Sequence, residues 1–358
     1  MREILMREII MRAHCGHYGH MADAIVISGV EVPADLSAAD FTFSNACIDL
    51  SDKTPTAGVT GISREGDALV LSVQPFRMGK DFEVTCTRCP ELSFAEADVD
   101  RVDTKGTDAF AYCEQDGAKY RLYTPAGQGK KPMILFFHGG GECGDDNEVQ
   151  LTNCYGALSL TERFPDYYVL APQCPAGAST MPADGKSFPK TPAASGGWQK
   201  DTQAKIRKAI DAMIDDGKVD PARIYVIGMS MGGAGTLRMI RDHGELFAAA
   251  APICPTMMEE TLAIVKAQKT LPIWISCAHM DFFETRHLQI IEGISYIQGA
   301  GNEDAHKTIY SPEELAAYGI GNTPGITRAE YLKENHHCWI LTLENEYGIL
   351  DWLVSHTK

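Results

Sequence analysis

Short runs of alternating apolar and polar residues fill much of the first third of the chain. Residues 68–73 (ALVLSV) and 82–86 (FEVTC) read in–out–in, and turn formers such as Arg64-Glu65-Gly66-Asp67 separate them. A period of two places one face of a strand in a core and the other in water. Between residues 24 and 108 no stretch keeps apolar residues at the three- and four-residue steps of a helix. The pattern predicts a small antiparallel β-sandwich over 24–108. Ahead of it, MREILMREIIMR is interrupted every few residues by Arg or Glu and lacks the continuous apolar core of a signal peptide. Residues 1–23 therefore read as a tail, with His14, His17 and His20 in solvent.

After residue 107 the pattern changes. Residues 109–112 and 119–123 flank Asp116-Gly117, a hairpin signal. The continuous apolar runs 133–137, 167–171, 223–227, 247–253 and 271–277 fit strands buried on both faces. Ile206, Ile210, Met213 and Ile214 recur at helical spacing, and Gly217 follows as a cap. Strands alternating with helices predict an α/β domain over 109–358, with a mostly parallel central sheet and helices on both faces. Residues 173–198 are rich in Pro, Ala, Gly and Ser. They read as a lid, a pocket wall or a surface insertion, starting where open α/β sheets carry their sites.

Composition narrows the function classes. In 358 residues, 32 basic against 48 acidic side chains give a formal charge of −16. Such a surface repels nucleic-acid backbones and anionic lipid, so neither partner is expected. No run of about 18 apolar residues is present to span a bilayer, and a cytoplasmic location is expected. Eleven cysteines, an odd number scattered from Cys15 to Cys338, fit reduced core thiols better than a disulfide scaffold. Cys86-x-x-Cys89 lacks a second pair, so no zinc site and no cofactor are expected.

The candidate chemistry begins with Gly228-Met229-Ser230-Met231-Gly232-Gly233, which follows the 223–227 strand and precedes a helical segment at 234–240. This is G-x-S-x-G in the strand–turn–helix setting that the motif needs. Side chains at 228 or 232 would collide with the neighbouring strand and helix, and the turn lifts the Ser230 hydroxyl above the sheet. His138-Gly139-Gly140-Gly141 ends the 133–137 strand, where HGGG-type loops donate a backbone N–H to an oxyanion. Gly140 and Met231 are the candidate donors, and Gly141 and Trp198 the candidate substrate contacts. In this fold the acid precedes the histidine. Asp281 follows the 271–277 strand, with Glu284 as the nearest rival, and His336 or His337 supplies the base.

The stretches LFFHGGGE (135–142), LAPQCP (170–175) and RIYVIGMSMGGAG (223–235) resemble a group within the α/β-hydrolase superfamily. Its members are known as predicted peptidases, polyhydroxybutyrate-depolymerase-like proteins or feruloyl and acetyl esterases. The resemblance covers most of 115–358. It implies a histidine three residues before a tryptophan, which favours His336 ahead of Trp339. It also implies an immunoglobulin-like N-terminal domain over 24–108. Two departures stand out: an apparent insertion around 301–324, and the segment HMDFFE around Asp281, which lacks the usual residues after the acid. The resemblance implies hydrolysis of a small or oligomeric ester by Ser230, His336 and Asp281. A serine peptidase and a noncatalytic binding protein are the competing expectations.

Overall fold

The computed structural model describes residues 6–17, 19–48, 56–177 and 197–358. The chain divides into two compact units: Met1–Asp108 with Thr152–Tyr155, and Ala109–Leu151 with Gly156–Lys358.

The first unit contains strands β1 (Glu8–Gly16), β2 (Gly19–Ser28), β3 (Phe41–Ser44), β4 (Val59–Glu65), β5 (Ala68–Arg77), β6 (Glu83–Cys86), β7 (Phe94–Ala95) and β8 (Arg101–Thr104). They form a five-stranded sheet, β4-β5-β2-β1-β8, and a three-stranded sheet, β3-β6-β7. Both sheets contribute to one core that includes Ile9, Ile25, Leu71, Phe82, Val84 and Phe94. Edge-to-face contacts run from Phe76 to Phe82 (5.0 Å) and on to Phe94 (6.3 Å).

Two expectations need correction. The stretch expected as a tail, 1–23, is not one where it is described, because β1 and the first half of β2 fall within it and β1 lies inside the five-stranded sheet. The charges of that segment occupy alternate positions. Ile9, Met11, Ala13 and Cys15 point inward, while Glu8 and Arg12 face out and Arg12 pairs with Glu65 at 2.6 Å. A strand half in water requires that alternation. The sheet is also not wholly antiparallel, since β1 runs parallel to β8.

The second unit is built on an eight-stranded mixed sheet. Its strands are β9 (Phe110–Gln115), β10 (Ala118–Tyr123), β11 (Lys131–Phe137), β12 (Tyr168–Pro172), β13 (Val219–Met229), β14 (Ala249–Ile253), β15 (Ile273–Ala278) and β16 (Ala305–Tyr310). Its helices are α1 (Val149–Thr152), α2 (Gly156–Arg163), α3 (Lys200–Asp215), α4 (Met231–His243), α5 (Glu259–Ala267), α6 (Arg286–Gly299), α7 (Pro312–Ala317), α8 (Arg328–Asn335), α9 (Trp339–Leu343) and α10 (Ile349–Ser355). Strand order is β16-β15-β14-β13-β11-β12-β10-β9, with β10 antiparallel to both its neighbours, β12 and β9, and every other pairing parallel. Asp116 and Gly117 turn the β9–β10 hairpin with φ of 52° and 84°, as a two-residue primed turn demands.

Chain order reverses beside β11: β12 lies on one side of it and β13 on the other. Open α/β sheets place their crevice at the carboxyl ends of strands around such a reversal. The apparent insertion around 301–324 holds β16, the edge strand of the sheet. Its sequence, AHKTIY, buries Ala305, Thr308 and Tyr310 and leaves His306 and Lys307 half exposed, so it lacks the apolar run of an inner strand. Of the loop expected at 173–198, residues 178–196 lie outside the described residues.

Candidate active site

Ser230 sits between β13 and α4 with φ 57° and ψ −117°, a backbone conformation that few non-glycine residues adopt. Its amide donates to Ile253 O at 2.9 Å, and its carbonyl accepts from Ala234 N at 3.1 Å. The flanking glycines are dictated by space. A Cβ at Gly228 would lie 2.5 Å from Gly232 O, and one at Gly232 would lie 2.1 Å from Phe137 O. Strand, turn and helix approach so closely that only hydrogen fits at either position.

The loop after β11 is fastened from below. His138 is fully buried; its Nε2 accepts from Cys174 N at 2.9 Å, so Nδ1 carries the proton and donates to Gly139 O at 2.6 Å. Burial pushes this imidazole down to about 4, which keeps it neutral. Trp198 Nε1 donates to His138 O at 3.2 Å. The loop passes close to the nucleophile: a Cβ at Gly139 would stand 3.7 Å from Ser230 Cβ. Gly140 then opens the short turn Gly140–Glu142, with Gly141 exposed.

Trp198 is not a pocket wall. It is completely buried, its ring centroid 4.5 Å from that of Phe137 and 4.8 Å from that of His138, and a Cβ on Gly235 would strike it at 2.5 Å. Its bulk supports the loop from beneath. Trp274 likewise packs on His306 and Trp352 and donates to Thr308 Oγ1 at 2.9 Å.

His336 ends α8 and starts the short turn His336–Cys338. Its Nε2 lies 2.8 Å from Ser230 Oγ and its Nδ1 2.9 Å from Asp281 Oδ2. Asp281 follows β15, is fully buried, and accepts from Phe283 N at 3.2 Å through Oδ1. Neighbouring His337 turns instead to Glu334 O at 2.9 Å, and Glu284 is exposed beside Arg328 at 3.6 Å. The geometry thus brings Ser230, His336 and Asp281 together and leaves both rivals outside.

Burial alone would lower the His336 proton affinity, but the charges of Asp281 and Cys254 push it up to about 9. Burial would raise Asp281; the Arg286 guanidinium and then His336 hold it down to about 2. Phe282 lies edge-on to His336 at 4.4 Å and Trp339 at 5.4 Å. Arg286 and Cys254 were not among the sequence candidates. Their positions carry no motif, although an Arg five residues after the acid was a signal open to notice. All eleven cysteines are free thiols. Among the described residues no cluster of three His, Cys, Asp or Glu side chains could hold a metal ion, and no helix is long and apolar enough to cross a membrane.

Three comparisons agree with this architecture. The model of the prolyl oligopeptidase family matches residues 184–282. Poly(3-hydroxyalkanoate) depolymerase C from Paucimonas lemoignei is 26% identical over 161 residues; the match spans 42% of this chain but only about a third, 36%, of that relative. The crystal structure of a thermostable esterase superposes with a TM-score of 0.66 at 23% identity, covering 99% of this chain and 100% of that one. The fold is that of the α/β-hydrolases, with a small β domain in front. On that fold, a serine at the elbow, a histidine and an aspartate form the constellation on which serine hydrolases of this type rely.

Proposed function

We propose that the chain is a serine hydrolase that cleaves carboxylic esters through an acyl-enzyme. One observation carries the reading: His336 bridges Ser230 Oγ at 2.8 Å and Asp281 Oδ2 at 2.9 Å, with Ser230 held in a strained turn at the head of α4. His336 Nε2 takes the Ser230 proton as Oγ attacks the ester carbonyl. Asp281 accepts from Nδ1, fixing the tautomer and favouring the imidazolium that forms. The oxyanion rests on the amides of Gly140 and Met231, the latter at the start of α4, where backbone N–H groups lack partners within the helix. His336 then returns its proton to the leaving alcohol, and water repeats the cycle to release the acid. Gly141, exposed beside this loop, faces the substrate.

Esters are favoured over peptides by the Paucimonas lemoignei relative, whose named substrate is a polyester. Feruloyl, acetyl and polyester substrates form the first panel to screen. The prolyl oligopeptidase match supports a second reading, a serine peptidase, because it spans Ser230 and Asp281. The N-terminal β unit is read as an immunoglobulin-like domain within the same proposal.

A fluorophosphonate probe tests the first step. Labelling is expected at Ser230 alone and is expected to vanish in Ser230→Ala, with turnover of p-nitrophenyl acetate falling by roughly six orders of magnitude. Faster turnover of peptide amides than of esters would favour the peptidase. A folded wild-type protein that takes no label would return the chain to the class of binding proteins.

A further inference from the structure

Arg286 opens α6 and is completely buried. That is a costly position for a guanidinium, whose charge is permanent. The ion pair it makes among the described residues is with Asp281, Nη1 donating to Oδ2. The same nitrogen lies 2.7 Å from His336 Nδ1. Among the described residues Nε and Nη2 have no hydrogen-bond partner, and the guanidinium carbon lies 5.1 Å from the ring centre of Phe282 and 5.0 Å from that of Phe283. An apolar side chain of this volume would fill the space at lower cost if packing were the whole requirement.

Resting on the reading of Ser230, His336 and Asp281 as the reacting set, we propose that Arg286 is a positioning residue: it clamps the Asp281 carboxylate against His336, and its charge opposes protonation of His336 at rest. Two nitrogens converge on Asp281 Oδ2, Nη1 of Arg286 and Nδ1 of His336. His336 Nδ1 can hold its proton toward Asp281, which leaves Nε2 bare to accept the Ser230 proton. Alternatively Nδ1 can be bare and accept from Arg286, and Nε2 then holds a proton and cannot act as base. The Asp281 charge selects the first arrangement. With Asp281 in place, Arg286 sets the carboxylate and keeps a positive charge beside an imidazole that must be neutral before each turnover.

The other groups around His336 are accounted for. Cys254, just past β14, interacts electrostatically with His336, and Cys277 of β15 lies within range of the Arg286 and Asp281 charges. Glu334 is directed to Gly321 N and His337 to Glu334 O. Phe282 and Trp339 are uncharged. Arg286 is therefore the cation that faces His336 among the described residues.

The test is the pH dependence of kcat/KM for p-nitrophenyl acetate. R286Q keeps a donor for Asp281 and removes the charge, and its acid limb is expected to move up by about one pH unit. R286K keeps the charge and should leave the limb in place while lowering kcat. An unmoved limb in R286Q overturns the proposal. A second pair covers the case in which R286Q does not fold. In D281N, Arg286 is left to donate to His336 Nδ1 and fix the inactive tautomer, so D281N/R286Q should be faster than D281N at pH 7 by about tenfold. A double variant no faster than D281N overturns the proposal as well. H336Q separates this from the underlying reading. If the limb persists in H336Q, His336 is not the base and both readings fall. If it disappears there yet stays fixed in R286Q, only the role of Arg286 falls.

Discussion

The two sides of the site are held by different physics. On the nucleophile side, Gly228, Gly232 and Gly233 leave no room for a methyl group, and the neighbours they would strike are backbone atoms of Gly232, Phe137 and Ile253. Each constraint is steric, acts over a few residues and leaves a mark in the sequence. On the acid–base side, Asp281 and Arg286 from the β15–α6 connection and His336 from the end of α8 meet through charge in a buried volume. Sterics admits one residue type there. Charge admits several, provided the sum of charges and donors balances.

The largest effect should come from the steric side. In Gly232→Ala the new Cβ would stand 2.1 Å from Phe137 O and 2.5 Å from His138 O, both main-chain atoms that cannot step aside. We expect loss of soluble, probe-reactive protein, read by yield and by fluorophosphonate labelling. Gly244→Ala is the control: its Cβ meets nothing within 4 Å, and its stability should stay within about 0.5 kcal/mol of wild type. A Gly232→Ala protein that still folds and labels would break the comparison.

The same contrast explains what could be read from sequence. The elbow was legible because glycine spacing is the direct imprint of close backbone approach. The buried strands were legible as apolar runs, and the β9–β10 turn as Asp-Gly. β1 was hidden because charges at every other position look like interruption until a partner sheet supplies the inside. β16 was hidden because an edge strand need not be apolar throughout. Trp198 invited a ligand reading because an indole beside a long loop looks like a pocket wall, and only packing against Phe137, His138 and Gly235 assigns it to the core. Arg286 lies outside any motif, and its place five residues after the acid gains meaning only in space, since a buried ion pair is defined by what surrounds it.

On the charged side, Asp281→Asn strands the buried Arg286 guanidinium. Removing one member of a buried pair costs about 3–5 kcal/mol, so the urea midpoint should fall clearly while the slope of the transition stays the same. An unchanged midpoint would mean that the Asp281–Arg286 pair contributes nothing to folding, and the comparison would need redrawing.

The next test uses pH. Burial disfavours the His336 imidazolium, yet the Asp281 and Cys254 charges raise its proton affinity to about 9, above the unfolded value of roughly 6.5. A group raised in the folded state contributes stability that is complete below its unfolded value and is lost as pH climbs through the folded one. Asp281, held down to about 2, contributes in the opposite sense: its share is present above about 4 and is lost as pH falls toward 2. The stability gap between wild type and H336Q should therefore be widest near pH 5–6 and shrink between 6.5 and 9. A gap that stays level across that range would mean that sterics, not charge, holds this side too.

The smallest effect sharpens the steric side. Trp198 supports the loop through one hydrogen bond to His138 O and through ring contacts with Phe137 and His138. Trp198→Phe keeps most of the ring and deletes the donor, leaving a buried carbonyl short of one partner at a cost of about 1–3 kcal/mol. Because the indole is completely buried, KM should hold steady across esters of different acyl size. The loss should appear in thermal stability and, through a loosened Gly140 amide, as a drop in kcat of up to about tenfold, less than the loss of an oxyanion donor outright. A KM that rises with acyl size while stability is unchanged would instead return Trp198 to the substrate pocket. That outcome would also mean that the floor beneath the loop is a ligand surface, and the division between a steric side and a charged side would no longer describe this site.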